Sequence, residues 1–210
     1  DEPVHPAGEG WAYSDTNYII LGMIIERLMG TGYYDLLKER ILEPLSLANT
    51  IPADRRELPG LSSGYTGYTG QFGIPEKVSE DGIMVFNPQM EWTGGGLVVT
   101  TADLAIWAKR LYEGELFTEE TLRMMTTPVP FRAALPDQAK YGMGTFVWEG
   151  ENGTSYGHSG FMPGYMALME YLPVYGFSIA IQFNTDHGIK KSLYEYLDTF
   201  KEKVVKYLEE

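Results

Sequence analysis

Cysteine is absent from this 210-residue chain. That excludes disulfides, cysteine-ligated zinc and thiol nucleophiles, and it leaves the cellular compartment open, because exported proteins also occur without cysteine. Histidine is scarce: His5, His158 and His187 are the only three, and their positions show no metal-ligand spacing. Neither a metal nor another cofactor is expected. Positive charge is in short supply as well, with 16 Lys and Arg against 29 Asp and Glu, a net charge of −13 and no basic cluster. Such a field repels phosphate backbones and anionic lipid, so nucleic acid is not an expected partner. Long apolar runs are missing too. The longest, Ile19 to Ile25, contains Gly22 and falls far short of the ~20 residues that a membrane span needs.

What is present can build a core. A hydrophobic fraction of 44% and 13% aromatic residues argue for a folded chain rather than a disordered one, and the length demands no more than one unit. The chain opens Asp1-Glu2-Pro3-Val4-His5, with neither an initiator methionine nor a basic, apolar leader. The expectation is a processed or excised segment of a longer product.

Ser14, Asp15 and Thr16 are helix-capping residues, and Ile20, Met23, Ile24 and Leu28 follow at helical spacing until Gly30 and Gly32. This pattern predicts a buried first helix. A second amphipathic segment runs from Tyr34 to Leu42, with Leu37 and Ile41 on one face and Pro44 beyond it. From Pro52 to Thr93 the chain is crowded with Gly, Pro, Tyr and Thr, which reads as an irregular excursion with short strands. Thr101-Ala102-Asp103-Leu104 opens a helix through Leu111, and Thr118-Glu119-Glu120-Thr121 caps another through Met125.

The final third changes period. Tyr141 to Trp148, Tyr165 to Leu172 and Phe177 to Phe183 are aromatic or β-branched runs that read as antiparallel strands. Lys190 to Leu208 returns to helix, with Leu193, Leu197, Phe200, Val204 and Leu208 on one face. Residues 1–140 are thus read as mainly helical and irregular, residues 141–210 as strands and a closing helix. The expected class is α+β: a single domain with an antiparallel sheet flanked by helices. No later run can pair with Phe177 to Phe183, and an uncovered apolar edge invites aggregation, so that edge is expected to have a partner.

Two short motifs carry the chemistry. In Tyr13-Ser14-Asp15, Tyr13 is on its own an aromatic residue at a helix entrance, and Asp15 an N-cap. In His158-Ser159-Gly160, a lone histidine is more often structural than catalytic. Their flanks add weight. Gly10-Trp11-Ala12-Tyr13-Ser14-Asp15-Thr16-Asn17-Tyr18 with Leu21-Gly22, Gly94-Gly95-Gly96-Leu97 with Thr100-Thr101-Ala102-Asp103-Leu104, and Gly157-His158-Ser159-Gly160 with Pro163-Gly164-Tyr165 together resemble the penicillin-recognising serine hydrolases. The resemblance is to the class C β-lactamase, D-alanyl-D-alanine carboxypeptidase and esterase group, and it runs from Gly10 to about Asn184.

That group lines one cleft with Ser-x-x-Lys, Tyr-x-Asn and Lys-Thr-Gly or a His-x-Gly variant on a sheet-edge strand. This chain has the second and third and no Ser-x-x-Lys. The resemblance therefore implies an incomplete β-lactamase/transpeptidase-like fold, the C-terminal portion of a serine hydrolase acting on esters or amides through an acyl-enzyme and inactive alone. Tyr13 would relay protons, and His158 would polarise the site. Ser159, Gly160 and the backbone N–H of Phe161 would hold substrate, the last as an oxyanion donor. Asp15 replaces the usual Asn and cannot donate a hydrogen bond when ionised, which weakens the case for β-lactam turnover; it could pair with a lysine or a substrate ammonium. The implied partners are a segment bearing Ser-x-x-Lys, or a second chain along the open strand edge, and a small ester or peptide substrate. Family habit implies export to the periplasm or medium.

Three alternatives stand beside this reading. One is a non-catalytic member of the fold used for binding or assembly. Another takes Ser159 as the serine of a nucleophile elbow, but Phe161 stands where that motif needs glycine. Paired carboxylates for glycoside hydrolysis are a third, with acidic residues numerous and unplaced.

Overall fold

A computed structural model of the chain describes residues 2–130, 135 and 138–210. Helix α1 spans Asp15–Met29, and Gly30 closes it in the left-handed conformation at φ 69°. Helix α2, Tyr33–Leu37, continues into a π-helical turn, Lys38–Leu42, and buries Leu36, Leu37 and Leu42. The irregular middle holds β1 (Ile51–Pro52), α3 (Thr69–Phe72), the hairpin β2 (Ser79–Glu80) and β3 (Ile83–Met84), and β4 (Leu97–Val98), which pairs back onto β1. Helix α4, Thr101–Tyr112, and helix α5, Glu119–Thr126, follow. Thr100 caps the first by accepting from the Asp103 N–H, and Thr118 caps the second by accepting from the Thr121 N–H.

The framework is a five-stranded antiparallel meander of β5 (Lys140–Tyr141), β6 (Phe146–Gly150), β7 (Gly153–Met162), β8 (Tyr165–Leu172) and β9 (Phe177–Phe183). Side chains alternate between its faces. Tyr171 of β8 meets Leu111 and Tyr112 of α4 on one face. Leu168 of the same strand meets Leu193 and Leu197 of α6 (Leu193–Glu209) on the other. Ser192 and Glu195 close a capping box at the start of α6. The α+β class, the β8 and β9 spans and the helices α4 and α5 agree with the sequence reading.

Three expectations are corrected, and one strand is added. The run Tyr141 to Trp148 is two strands, because Gly142 to Thr145 turns the chain between β5 and β6. His158-Ser159-Gly160, which precedes the run Tyr165–Leu172, lies inside a further strand that the sequence reading did not name, β7, ten residues long. Its glycines hid it: a Cβ on Gly157 would collide with the Met169 carbonyl oxygen of β8, so close strand approach selects glycine where β-propensity looks for bulk. On α6 the buried stripe is Leu193, Leu197 and Val205, with the Lys201 stem between them and its ammonium 3.0 Å from both Glu170 oxygens. Phe200, Val204 and Leu208 are exposed.

The third correction concerns α1, whose only buried residue is Gly22. Met23 is 60% exposed, Ile24 47% and Leu28 77%, and Ile20, Leu21, Ile25 and Met29 are exposed too. The helix touches the rest of the fold mainly through the 3₁₀ turn Trp92–Gly94, where Thr93 Oγ1 donates to the Tyr18 carbonyl at 2.7 Å. Nothing among the described residues covers its apolar side. Strand β9 pairs with β8 and leaves its other edge without a strand among the described residues.

Candidate active site

Tyr13 stands just before α1, and the first residue of that helix is Asp15. The turn Trp92–Gly94 holds α1 in place and so fixes where the phenol sits. Across from it, β7 delivers His158. The two rings are 6.2 Å apart between centroids, so the structure brings together two residues 145 positions apart in sequence. Tyr141 of β5 joins them, its ring 5.9 Å from Tyr13 and 5.8 Å from His158. Trp11 lies 5.1 Å from Tyr141, and Phe146 of β6 stacks on the imidazole at 4.3 Å. The result is an aromatic box with Tyr13 half-exposed at its mouth.

The polar contacts inside this box are specific. His158 Nδ1 is 2.6 Å from the Ser159 carbonyl oxygen, and Nε2 is 3.2 Å from the Tyr141 hydroxyl. The Tyr141 hydroxyl lies 3.5 Å from that of Tyr18 on α1.

The electrostatics are one-sided. Burial pushes the Tyr13 phenol up to about 12, and Asp15, Tyr18 and Glu91 add to the shift. Burial also raises the Glu91 carboxyl, with the Asp15 charge second. The groups acting on Tyr13 are thus anionic or neutral, with no lysine or arginine among them. A phenol serves as a proton acceptor near neutrality only when a cation lowers its affinity for the proton. Burial likewise lowers the affinity of His158 for a proton, against the opposing pull of the Ser159 carbonyl and Asp15.

The remaining sequence candidates sit on the same strand in a different posture. Ser159 is opposite Leu168 and Phe161 opposite Met166 in the β7–β8 register, so their side chains belong to the α6 face. Pairing of β6 with β7 ends at Gly157. From His158 onward the β7 backbone has no strand paired on that side among the described residues. The Phe161 ring is exposed and meets Tyr68 edge-on at 5.6 Å. Asp186 holds that neighbourhood: its carboxylate accepts from Thr66 Oγ1 at 2.6 Å, the Gly67 N–H at 2.7 Å and the Gly164 N–H at 2.8 Å.

Sequence reasoning missed Tyr141, Tyr18 and Glu91. Tyr141 reads as one more strand aromatic and Glu91 as one of 29 acids, and nothing local distinguishes either. Among the described residues no cluster of His, Asp or Glu could hold a metal, and no helix is long and apolar enough to cross a membrane.

The family model described as Beta-lactamase matches residues 1–199. Penicillin-binding protein 4* of Bacillus subtilis is 30% identical over 169 residues, a stretch covering 77% of this chain and 37% of that protein. D-aminopeptidase of Gluconobacter oxydans is 24% identical over 84% of this chain and 32% of its own length. Among solved structures, a D-stereospecific amidohydrolase from Streptomyces sp. superposes with a TM-score of 0.75 and 29% identity, covering 89% of this chain and 54% of that one. The chain spans about a third to a half of the length of these relatives.

Proposed function

Because the chain belongs to the beta-lactamase family, we propose that it is the proton-relay and substrate-holding part of a serine hydrolase, completed by a polypeptide segment that brings Ser-x-x-Lys. Serine hydrolase chemistry fits the family and the relatives named D-aminopeptidase and D-stereospecific amidohydrolase. The observation that carries the finer reading is the site's charge. A Tyr13 phenol at about 12 among carboxylates lacks the one thing that would make it a base, a neighbouring cation, and the lysine of Ser-x-x-Lys is that cation.

In the completed site the serine oxygen attacks an ester or amide carbonyl carbon as Tyr13 accepts the serine proton. The tetrahedral oxyanion meets the open β7 edge, where the Phe161 N–H is the proposed donor. The C–O or C–N bond then breaks, the leaving alcohol or amine takes the proton, and water hydrolyses the acyl-enzyme. Gly160 and Ser159 line the edge that the substrate follows, and His158 forms the wall of the box. Asp15 supplies negative charge for the lysine or for a substrate ammonium, so amides and peptides of D-amino acids with a free amino group are the substrates to test first. The uncovered side of α1, which starts at the site, and the open edge of β9 are the proposed seats of the completing segment or of a second chain.

A second reading, a binding or assembly protein that keeps the fold, rests on the absence of Ser-x-x-Lys from the sequence. Intact-mass analysis of native material, a serine-directed fluorophosphonate probe, and hydrolysis of D-phenylalanine amide and p-nitrophenyl acetate separate the two. A labelled companion and turnover lost in Tyr13→Phe support the hydrolase. No label and no turnover in the companion-bound protein select the second reading.

A further inference from the structure

The Ser159 carbonyl fixes one end of the hydrogen-bond series around His158, and the apolar packing of the ring selects the direction of the rest. A carbonyl oxygen accepts and never donates, so at 2.6 Å from the Ser159 carbonyl the Nδ1 atom must carry hydrogen. The Tyr141 hydroxyl, 3.2 Å from Nε2, is buried, and burial with the neighbouring Tyr18 keeps it firmly protonated. A protonated phenol either donates to a bare Nε2 or accepts from the Nε2–H of an imidazolium, and with Phe146 stacked on the imidazole and Trp11 against Tyr141 the uncharged ring is favoured, so Tyr141 donates. Tyr18, 3.5 Å from the Tyr141 oxygen, donates in its turn. The series runs from α1 through β5 to β7 and ends on the Ser159 carbonyl. An imidazole that donates from Nδ1 and accepts at Nε2 carries no charge.

We propose that Tyr141 is a positioning residue: its hydroxyl fixes His158 as the neutral Nδ1–H tautomer, which ties down the Ser159 carbonyl and gives Tyr13 no positive charge. The packing agrees, since Phe146 stacks on the imidazole at 4.3 Å and Trp11 lies against Tyr141 at 5.1 Å, a setting that favours an uncharged ring. The titratable groups around the imidazole are the phenols of Tyr13, Tyr18 and Tyr141 and the carboxylate of Asp15 at the start of α1; the Ser159 carbonyl and Asp15 favour the imidazolium, and burial opposes them. His158 is therefore a built strut of the β7 edge. Any cation that activates Tyr13 must arrive from elsewhere.

This inference does not depend on hydrolase activity and is read on the protein directly. Long-range proton–nitrogen correlation spectra of the ¹⁵N-labelled histidine rings, recorded from about pH 5 to pH 8 where an ordinary histidine titrates, report tautomer and charge. His158 is assigned by the signals lost in His158→Gln. The expected result is a protonated Nδ1, an unprotonated but hydrogen-bonded Nε2, and no imidazolium at neutral pH. Tyr141→Phe keeps the ring and removes the donor to the neutral form. It should raise the His158 midpoint by about 0.5–1 pH unit and move Nε2 to the position of a free ring nitrogen. A merely structural Tyr141 would leave both readouts unchanged, and that result overturns the proposal, as does an Nε2–H tautomer or a charged His158 at pH 7 in the unsubstituted protein. Should Tyr141→Phe not fold, the unsubstituted spectrum alone decides.

Discussion

Truncating Leu28 to alanine tests whether the apolar side of α1 is as unburied as it looks. Fully burying a leucine side chain stabilises a fold by about 1.5–3 kcal/mol. Leu28 is 77% exposed, so about a quarter of that value is realised, roughly 0.4–0.7 kcal/mol. Alanine's better helix propensity recovers a few tenths of it. The net cost in the isolated chain should be no more than about 0.5 kcal/mol. Leu197, 1% exposed beneath the sheet, is the internal contrast, at about 2–5 kcal/mol when truncated to alanine. Urea unfolding followed by tryptophan fluorescence, at several protein concentrations to separate folding from self-association, measures both. If the proposed completing segment buries this face, the same Leu28→Ala change should weaken its binding by about 2–5 kcal/mol, the range given for unfolding on Leu197→Ala. A loss of about 2 kcal/mol or more in the isolated monomer would show that the chain buries α1 itself, and the reasoning that leaves this face for a partner would be wrong.

The same exposure predicts that the isolated chain self-associates, and Ile24→Glu with Leu28→Lys should shift sedimentation toward monomer without lowering the urea midpoint. Gly22→Ala should destabilise by about 1–3 kcal/mol despite alanine's higher helix propensity, because a Cβ there lands 3.0 Å or less from three Thr93 side-chain atoms and breaks the Thr93–Tyr18 bond; the urea midpoint checks it. Burial works to raise the Asp186 carboxyl, but bonds from Thr66, Gly164 and Gly67 and the neighbouring His187 outweigh it and hold the group below the usual carboxylate range. A folded value below the unfolded one contributes stability that is complete above the unfolded pKa and is lost as pH falls through the folded one. Asp186→Asn should therefore flatten the acid side of the stability profile and cost about 2 kcal/mol near neutrality, read from urea midpoints against pH.

The sequence was most legible where one residue type has one local use. Thr100 and Thr118 announce helix starts because their hydroxyls reach the N–H groups of Asp103 and Thr121. The runs Tyr165–Leu172 and Phe177–Phe183 are strands because both faces of that part of the sheet are covered, by α4 and α6. Strand β7 escaped because its requirement is inverted: Gly157 is there to let β8 approach, so the residue that makes the strand possible is the one that lowers its apparent propensity. Tyr13 and His158 were singled out by their flanks, and the fold places their rings 6.2 Å apart. Tyr141 was not, because its role is created by a 17-residue return of the chain that no local pattern encodes.

The misreading of α1 follows from what periodicity measures. Ile20, Met23, Ile24 and Leu28 at helical spacing state that a face should be covered, and they do not say by what. In α6 the covering surface lies within the chain, and Leu193 and Leu197 are buried. In α1 the pattern is as strong and the cover is not there among the described residues. The two features that stand unsatisfied, an apolar helix face and a phenol at about 12 without a cation, meet where Asp15 begins α1 two residues after Tyr13. An occupant that buried the face without bringing a positive charge would desolvate Tyr13 and Glu91 further, adding to the burial that already raises both. One that brought the charge alone would leave seven large apolar side chains in water. A helix that is apolar along one side and carries a lysine at its site end satisfies both at once, and this is why the completing segment is inferred to be a single element seated on α1.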